Sequence, residues 1–269
     1  MRAPDIHSGY LLDEFPYVCV ENGPDIIVIL PHIRETLEDI TRAGWCTRWL
    51  KRFSRRNHSV YILGRKNVLP RDYTTRDMAS DCAAVLHKCL GKCIVMGFSL
   101  GGLIAQYVAI DHPSLVKSLI LAVSAHRIHP PQIEHMKHWI ALAEKGEWRQ
   151  LYLDLASLMH AGLNEDIHEW ALPLLNRSLN HTPFNPANFI TSVRSSMLHN
   201  TTDVLNMITA PTLIIGGTDD RLFPAATFYE AGHILPHARL KLLAGAGHGA
   251  FDEQKRNFDK TVLEFISKY

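Results

Sequence analysis

The stretch Cys93-Ile94-Val95-Met96-Gly97-Phe98-Ser99-Leu100-Gly101-Gly102-Leu103-Ile104-Ala105 decides how the rest of the chain is read. It begins as an apolar run of strand length and ends as an apolar run that can open a helix, and between them Gly97 and Gly101 flank Ser99 at its second neighbours. A chain that passes from strand to helix in so few residues turns too sharply for a side chain at either glycine position. Ser99 is then lifted out at the carboxyl end of a sheet. The N-terminal N–H groups of the following helix face the same spot and favour negative charge there.

Outward from this stretch the chain alternates strand and helix. On its N-terminal side, residues 8–22 alternate apolar and polar side chains around Glu14 and Pro16, which predicts an antiparallel hairpin at a sheet edge. Ile26-Ile27-Val28-Ile29-Leu30 is continuous and β-branched, the pattern of a strand covered on both faces, and Pro31 stops it. Trp45, Trp49, Leu50 and Phe53 have helical spacing, Val60–Leu63 reads as a strand, and Thr75–Leu90 as a helix with Met78, Cys82, Val85 and Leu86 on one face. Beyond the serine helix, Val116–Val123 is another buried strand. This order implies a parallel sheet with helices on both faces.

The pattern then changes. Residues 126–207 hold no convincing strand and read as amphipathic helices broken at Gly146, Gly162, Pro183 and Pro186. Sheet character returns with Thr212–Ile215, a helix from Ala225, a strand Leu240–Leu243 and a C-terminal helix from Glu253. The expected organisation is a core of residues 1–125 and 208–269, with residues 126–207 inserted as a helical cap over the carboxyl ends of the strands.

Composition narrows the function. A chain of 269 residues with 46% hydrophobic content can bury a large core, and a net charge of +1 gives no reason to expect nucleic acid or an anionic membrane as partner. The one basic run, Lys51, Arg52, Arg55 and Arg56, ends a predicted helix and reads as a solvated face. No apolar run is long enough to insert in a bilayer, and Met1–Phe15 lacks the apolar segment of a signal peptide. The five cysteines lack C-x-x-C spacing, so a reduced, cytoplasmic setting is expected. His135 and His138 share a helical face but have no carboxylate or thiol partner at matching spacing, so no metal is expected, and no cofactor signature is present.

A serine hydroxyl is a weak nucleophile until a base takes its proton, and the base needs an acid to fix its tautomer. Candidates for both lie beyond later strands. Asp219 and Asp220 follow Pro211-Thr212-Leu213-Ile214-Ile215-Gly216-Gly217-Thr218, and His248 sits in Leu242-Leu243-Ala244-Gly245-Ala246-Gly247-His248-Gly249. With these three segments in view, the chain resembles the α/β-hydrolase superfamily, in which nucleophile, acid and histidine follow in this order. The resemblance runs over nearly the whole chain and is weakest across residues 126–207. It implies the α/β-hydrolase fold, a mostly parallel central sheet flanked by helices with a helical cap.

In such families the acid lies three residues after a glycine and four before a proline; Gly217 and Pro224 both select Asp220, with Asp219 the alternative if the loop rotates by one residue. The resemblance makes His248 the base and Leu100, the residue after the nucleophile, one backbone donor of an oxyanion hole. The second donor comes from the loop after Ile26–Leu30, where relatives carry His-Gly. This chain has Pro31-His32-Ile33, which makes Ile33 the donor and puts His32, at the glycine place, in reach of a substrate contact or a structural role. A second departure is Gly64-Arg65-Lys66-Asn67-Val68-Leu69-Pro70, where relatives often have an Asp and a glycine-rich turn.

Phe98, Leu222 and Phe223, which with Phe251 are apolar neighbours of the three candidate residues, are the expected substrate contacts together with His32. The inserted block adds Trp139, Trp148, Tyr152, Leu158, Met159, Trp170, Phe184 and Phe189, each as well suited to helix packing as to a pocket. The expected activity is that of a serine esterase acting on a small or medium apolar ester through an acyl-enzyme. Lactonase, thioesterase, carbon–carbon hydrolase and perhydrolase chemistry use the same parts, and a small-molecule sensor on the same fold is the reading from a different class.

Overall fold

The computed structural model describes residues 5–54, 58–159 and 184–269. Eight strands form one sheet in the order β1-β2-β4-β3-β5-β6-β7-β8: β1 Ile6–Leu11, β2 Phe15–Val20, β3 Asp25–Leu30, β4 His58–Leu63, β5 Cys93–Phe98, β6 Val116–Ala122, β7 Thr212–Gly217 and β8 Arg239–Leu243. β1 and β2 are antiparallel to their neighbours, and all pairs from β4 to β8 are parallel. The parallel strands are joined through α1 Gly44–Phe53, α2 Thr75–Val85, α3 Leu100–Asp111, α4 Pro130–Lys145, α5 Trp148–Met159, α6 Pro186–Leu198 and α7 Ala225–Ile234; α8 Lys255–Ile266 follows β8.

The two faces of the sheet follow from the period of two along each strand. Ile27, Ile29, Ile94, Met96 and Phe98 join Trp45, Trp49 and Phe53 of α1 and Phe258, Val262 and Phe265 of α8 in one core. Val28, Leu30, Cys93 and Val95 join α2, α3 and α7 in the other. The strand order reverses direction at β3, whose neighbours are β4 and β5, and the carboxyl ends there open the crevice in which such sheets bind ligands.

The expected edge hairpin forms between β1 and β2, turning at Leu12 and Asp13, both at positive φ, with Pro16 inside β2. Two local expectations need correction. The helix predicted over Thr75–Leu90 ends at Val85 and continues as a wider turn, Leu86–Leu90, which Gly91 closes at φ +76° by donating its N–H to the Leu86 carbonyl. The basic run is not a solvated face as a whole: Arg52 is buried, its guanidinium bonding the Asp259 and Asp252 carboxylates and the Phe251 carbonyl. Its place three residues after Trp49 puts it beside the apolar stripe of α1, where an arginine needs fixed partners. Arg55 and Arg56 lie outside the described residues.

Among the described residues between β6 and β7 lie the helices α4, α5 and α6, and Gly146, at φ +74°, ends α4 where the sequence breaks. Asn185 caps α6 by accepting the Asn188 N–H, with Pro186 at its first position. The expected breaks at Gly162 and Pro183, with Trp170, lie outside the described residues.

Candidate active site

Ser99 stands between β5 and α3 with φ +51°, a left-handed conformation that a serine holds only when its surroundings fix it. They do so from two sides. The Ser99 N–H donates to the Ala122 carbonyl at 2.9 Å, and its own carbonyl accepts from Gly102 at 2.8 Å and Leu103 at 3.2 Å. A Cβ at Gly97 would overlap the Gly101 carbonyl, and one at Gly101 would overlap the Leu30 carbonyl, so the sharp turn and the close approach of α3 to the end of β3 both require glycine.

The loops after β7 and β8 lock onto each other. Thr218 donates its N–H to the Leu243 carbonyl at 3.0 Å, Asp219 its N–H to Ala246 at 2.9 Å, and Gly245 its N–H to the Thr218 hydroxyl at 2.8 Å. The Glu253 carboxylate accepts the Gly247 N–H at 3.1 Å. Asp220 and His248 are thereby carried to Ser99. His248 Nδ1 is 2.8 Å from Asp220 Oδ2 and His248 Nε2 is 3.0 Å from Ser99 Oγ, with all three residues buried.

The other oxygen of Asp220 accepts the backbone N–H groups of Leu222 at 2.8 Å and Phe223 at 2.9 Å. A carboxylate so bonded can only accept, so the proton of the neutral imidazole sits on Nδ1 and the Nε2 lone pair faces the serine hydroxyl. Asp219 turns away, its Oδ1 accepting from the Thr218 hydroxyl at 2.7 Å.

Leu100 is the first residue of α3, and Ile33 the first of a short 3₁₀ turn, Ile33–Thr36, so helical bonding leaves both N–H groups unpaired within their turns. His32 precedes that turn and caps it, its Nδ1 accepting the Arg34 N–H at 3.1 Å. An accepting Nδ1 places the ring proton on Nε2. Burial among Trp45, Trp49 and Phe251, with Arg34 nearby, holds the imidazole well below its ordinary pKa and so neutral.

The apolar neighbours take other places. Phe98 stacks on Trp49 at 4.1 Å between centroids and meets Phe251 and Phe258, so its ring is spent in the core under α1 and α8. The spacing of Ile94, Met96 and Phe98 carried that signal. Leu222 and Phe223 are buried, and the Phe223 ring lies over His248 at 5.9 Å; with their backbone N–H groups on Asp220 they hold the site from behind. Trp139, Tyr152, Leu158 and Phe189 are buried in the core that includes α3, while Phe184 is half exposed. His135 meets the edge of Trp139, and His138 lies 3.5 Å from Asp154. Among the described residues no helix is long and apolar enough to cross a membrane.

Residues 54–255 match the model of the alpha/beta hydrolase fold family. RutD of Pseudomonas savastanoi pv. phaseolicola, provisionally named a carbamate hydrolase, is 27% identical over 229 residues, covering 79% of this chain and 85% of its own. The monoacylglycerol lipase abhd6-A of Xenopus laevis is 25% identical over 185 residues, 64% of this chain, which spans 54% of the lipase's length. Among solved structures, MGS-M2, an alpha/beta hydrolase enzyme from a Medee basin deep-sea metagenome library, superposes with a TM-score of 0.81 at 21% identity over 98% of this chain and 97% of its own.

Proposed function

We propose, from the premise that this chain belongs to the alpha/beta hydrolase fold family, that it is a serine hydrolase cleaving a carboxylic ester through an acyl-enzyme. The observation that carries the reading is the unbroken hydrogen-bonded line Asp220–His248–Ser99, at 2.8 Å and 3.0 Å. His248 Nε2 takes the proton of Ser99 as Oγ attacks the carbonyl carbon, and Asp220 stabilises the imidazolium that forms. The oxyanion is received by the N–H groups of Leu100 and Ile33. His248 returns its proton to the leaving alcohol, which departs; the same base then activates water, and the acid leaves with Ser99 restored.

Residues 126–207 act in this reading as a cap. The backbone bonds Phe184 N–H to Leu37 O, Asn185 N–H to Thr36 O and Gly249 N–H to Met159 O support that placement, since they tie the insertion to the turn after β3 and to the His248 loop. The named activities of the two relatives, on a carbamate and on a monoacylglycerol, fit attack on a carbonyl carbon.

The test is turnover of p-nitrophenyl acetate, butyrate and octanoate, with lactone and thioester analogues alongside. The expected result is steady turnover that Ser99→Ala lowers by about 10⁴-fold or more. Stoichiometric labelling of Ser99 by a fluorophosphonate without turnover of any of them would replace the enzyme with a small-molecule sensor.

A further inference from the structure

The segment after β4 departs from the family pattern, and its Arg65 is buried to within 8% of full coverage against Glu35, itself on the Ile33–Thr36 turn. The Arg65 N–H donates to Glu35 Oε1 at 3.1 Å, and Arg65 Nε lies 2.7 Å from the same oxygen. Arg65 Nη1 reaches back to the Pro31 carbonyl at 3.4 Å. One side chain, rooted two residues beyond a central strand, thus holds both flanks of Ile33, the peptide before His32 and the carboxylate after Arg34.

The remainder of the turn is fastened as well. Thr36 Oγ1 donates to the Ile33 carbonyl at 2.8 Å, and Asn188 of α6 donates to the Lys66 carbonyl at 3.0 Å while its Oδ1 accepts from Leu69 at 2.9 Å. The carbonyls of Leu30 and Pro31 lie against Gly101, inside the first turn of α3. The Ile33 turn is therefore gripped between α3, the Arg65 loop and α6.

As a stabilising device the pair is poor. Arg65 Nε and Nη2 and Glu35 Oε2 are buried with no hydrogen-bond partner, Nε meeting Glu35 by charge alone, and burial pushes the Glu35 carboxyl up to about 7 against the pull of Arg65. A buried pair so incompletely hydrogen-bonded contributes less than apolar side chains of the same volume, and its attested use is to fix one arrangement among several. We propose that Arg65 and Glu35 are positioning residues that hold the Ile33 N–H at the angle the oxyanion requires. The proposal rests on Ile33 being the second donor, as in the mechanism above.

The experiment measures kcat and KM on p-nitrophenyl butyrate, per Ser99 labelled by fluorophosphonate, together with inhibition by a trifluoromethyl ketone that forms the tetrahedral adduct. The main variant is the double Glu35→Ala/Arg65→Ala, which leaves no unpaired charge buried. Its expected effect is a loss of about tenfold or more in kcat, a KM within about threefold of the parent and a matching loss of ketone affinity, because a misplaced donor weakens only the charged adduct. Arg65→Lys, the milder change, loses about fivefold, since an ammonium cannot span both flanks as the guanidinium does. Should the double variant not fold, the same measurements on Arg65→Lys decide.

Retention of kcat and ketone affinity within about twofold in the folded variant overturns the clamp. Parallel losses in thermal stability alone leave the pair a structural one and overturn it equally. A parent enzyme without Ser99-dependent turnover sinks the hydrolase reading instead, and the clamp with it.

Discussion

Two buried polar networks of this molecule are built differently. Ser99, His248 and Asp220 form a closed line in which the carboxylate uses both oxygens, one on His248 and one on the Leu222 and Phe223 N–H groups. Where the chain leaves β6 and where it returns from α6, His126, Thr201, Gln106, His199 and Thr75 form an open one. Thr201 Oγ1 donates to Gln106 Oε1 at 2.5 Å, Gln106 Nε2 donates to the Ala125 and Gly102 carbonyls, and His199 Nδ1 pairs with Thr75 Oγ1 at 2.8 Å. His126 Nδ1 and His199 Nε2 are buried there with no partner.

The contrast follows from the supports. The first network hangs from loops at the ends of paired strands, where backbone N–H groups are available at fixed positions. The second lies where helices and loops meet, and its backbone carbonyls satisfy Gln106 and Thr201 but leave one nitrogen of each histidine without a partner. A closed network presents its groups before substrate arrives, whereas an open one is sensitive to any proton that adds a charge.

Breaking the closed network should have the largest effect. Asp220→Asn keeps the shape but offers Nδ1 an amide in place of a carboxylate, so kcat should fall by about 10³- to 10⁴-fold with KM little changed. Asp219→Asn, whose carboxylate faces Thr218, should stay near the parent, and a reversal of the two would exchange the acid assignment. Steady-state kinetics on a p-nitrophenyl ester reads both.

Next comes the backbone that supports Ser99. Gly101→Ala drives a Cβ into the Leu30 carbonyl, where no flexible side chain can yield. The expected cost is about 3 kcal/mol or more, a fall of roughly 6 °C or more in Tm by calorimetry. An unchanged Tm would mean that α3 does not approach β3 as closely as described.

The smallest effect belongs to the open network. Burial, aided by nearby His126, lowers the pKa of His199 to about 3. His126, too, is held low by burial and by Arg127, against the pull of Glu230. The Tyr107 ring lies beside His199 at 5.2 Å.

The unfolded chain binds a proton at residue 199 from about pH 6.5 downward, while the folded one refuses it until about pH 3. Stability from this source is therefore complete above about pH 6.5 and is lost as pH falls from there toward 3, by an amount on the order of a few kcal/mol. His199→Gln can still meet Thr75 and has nothing to titrate, so its drop in Tm between pH 7 and pH 4.5 should be smaller than the parent's. Equal drops would shift the acid sensitivity to His126 or elsewhere.

Much of this was legible from spacing alone. The two glycines about Ser99 declared the turn, and the distances from Gly217 and Pro224 picked Asp220 over Asp219, whose side chain indeed faces elsewhere. Phe98 was legible and misread: adjacency to Ser99 suggested a substrate contact, but a strand sends neighbouring side chains to opposite faces, and this ring meets Trp49. Arg52 and Arg65 were not legible as buried, because an arginine's partners are set by distant segments, Asp252 and Asp259 for one and Glu35 for the other.

Sequence by itself determined the strand and helix order and the serine turn, since these depend on local sterics and on the period of apolar residues, and it singled out Asp220 and His248 as the side chains that meet Ser99. Only the tertiary structure decided which polar groups close on one another: that His32 caps the turn before Ile33, that Leu222 and Phe223 hold Asp220, and that Arg65 grips Glu35 and Pro31. Hydrogen bonds and ion pairs act over a few ångströms in space, and chain packing, rather than separation along the sequence, sets which groups come that near.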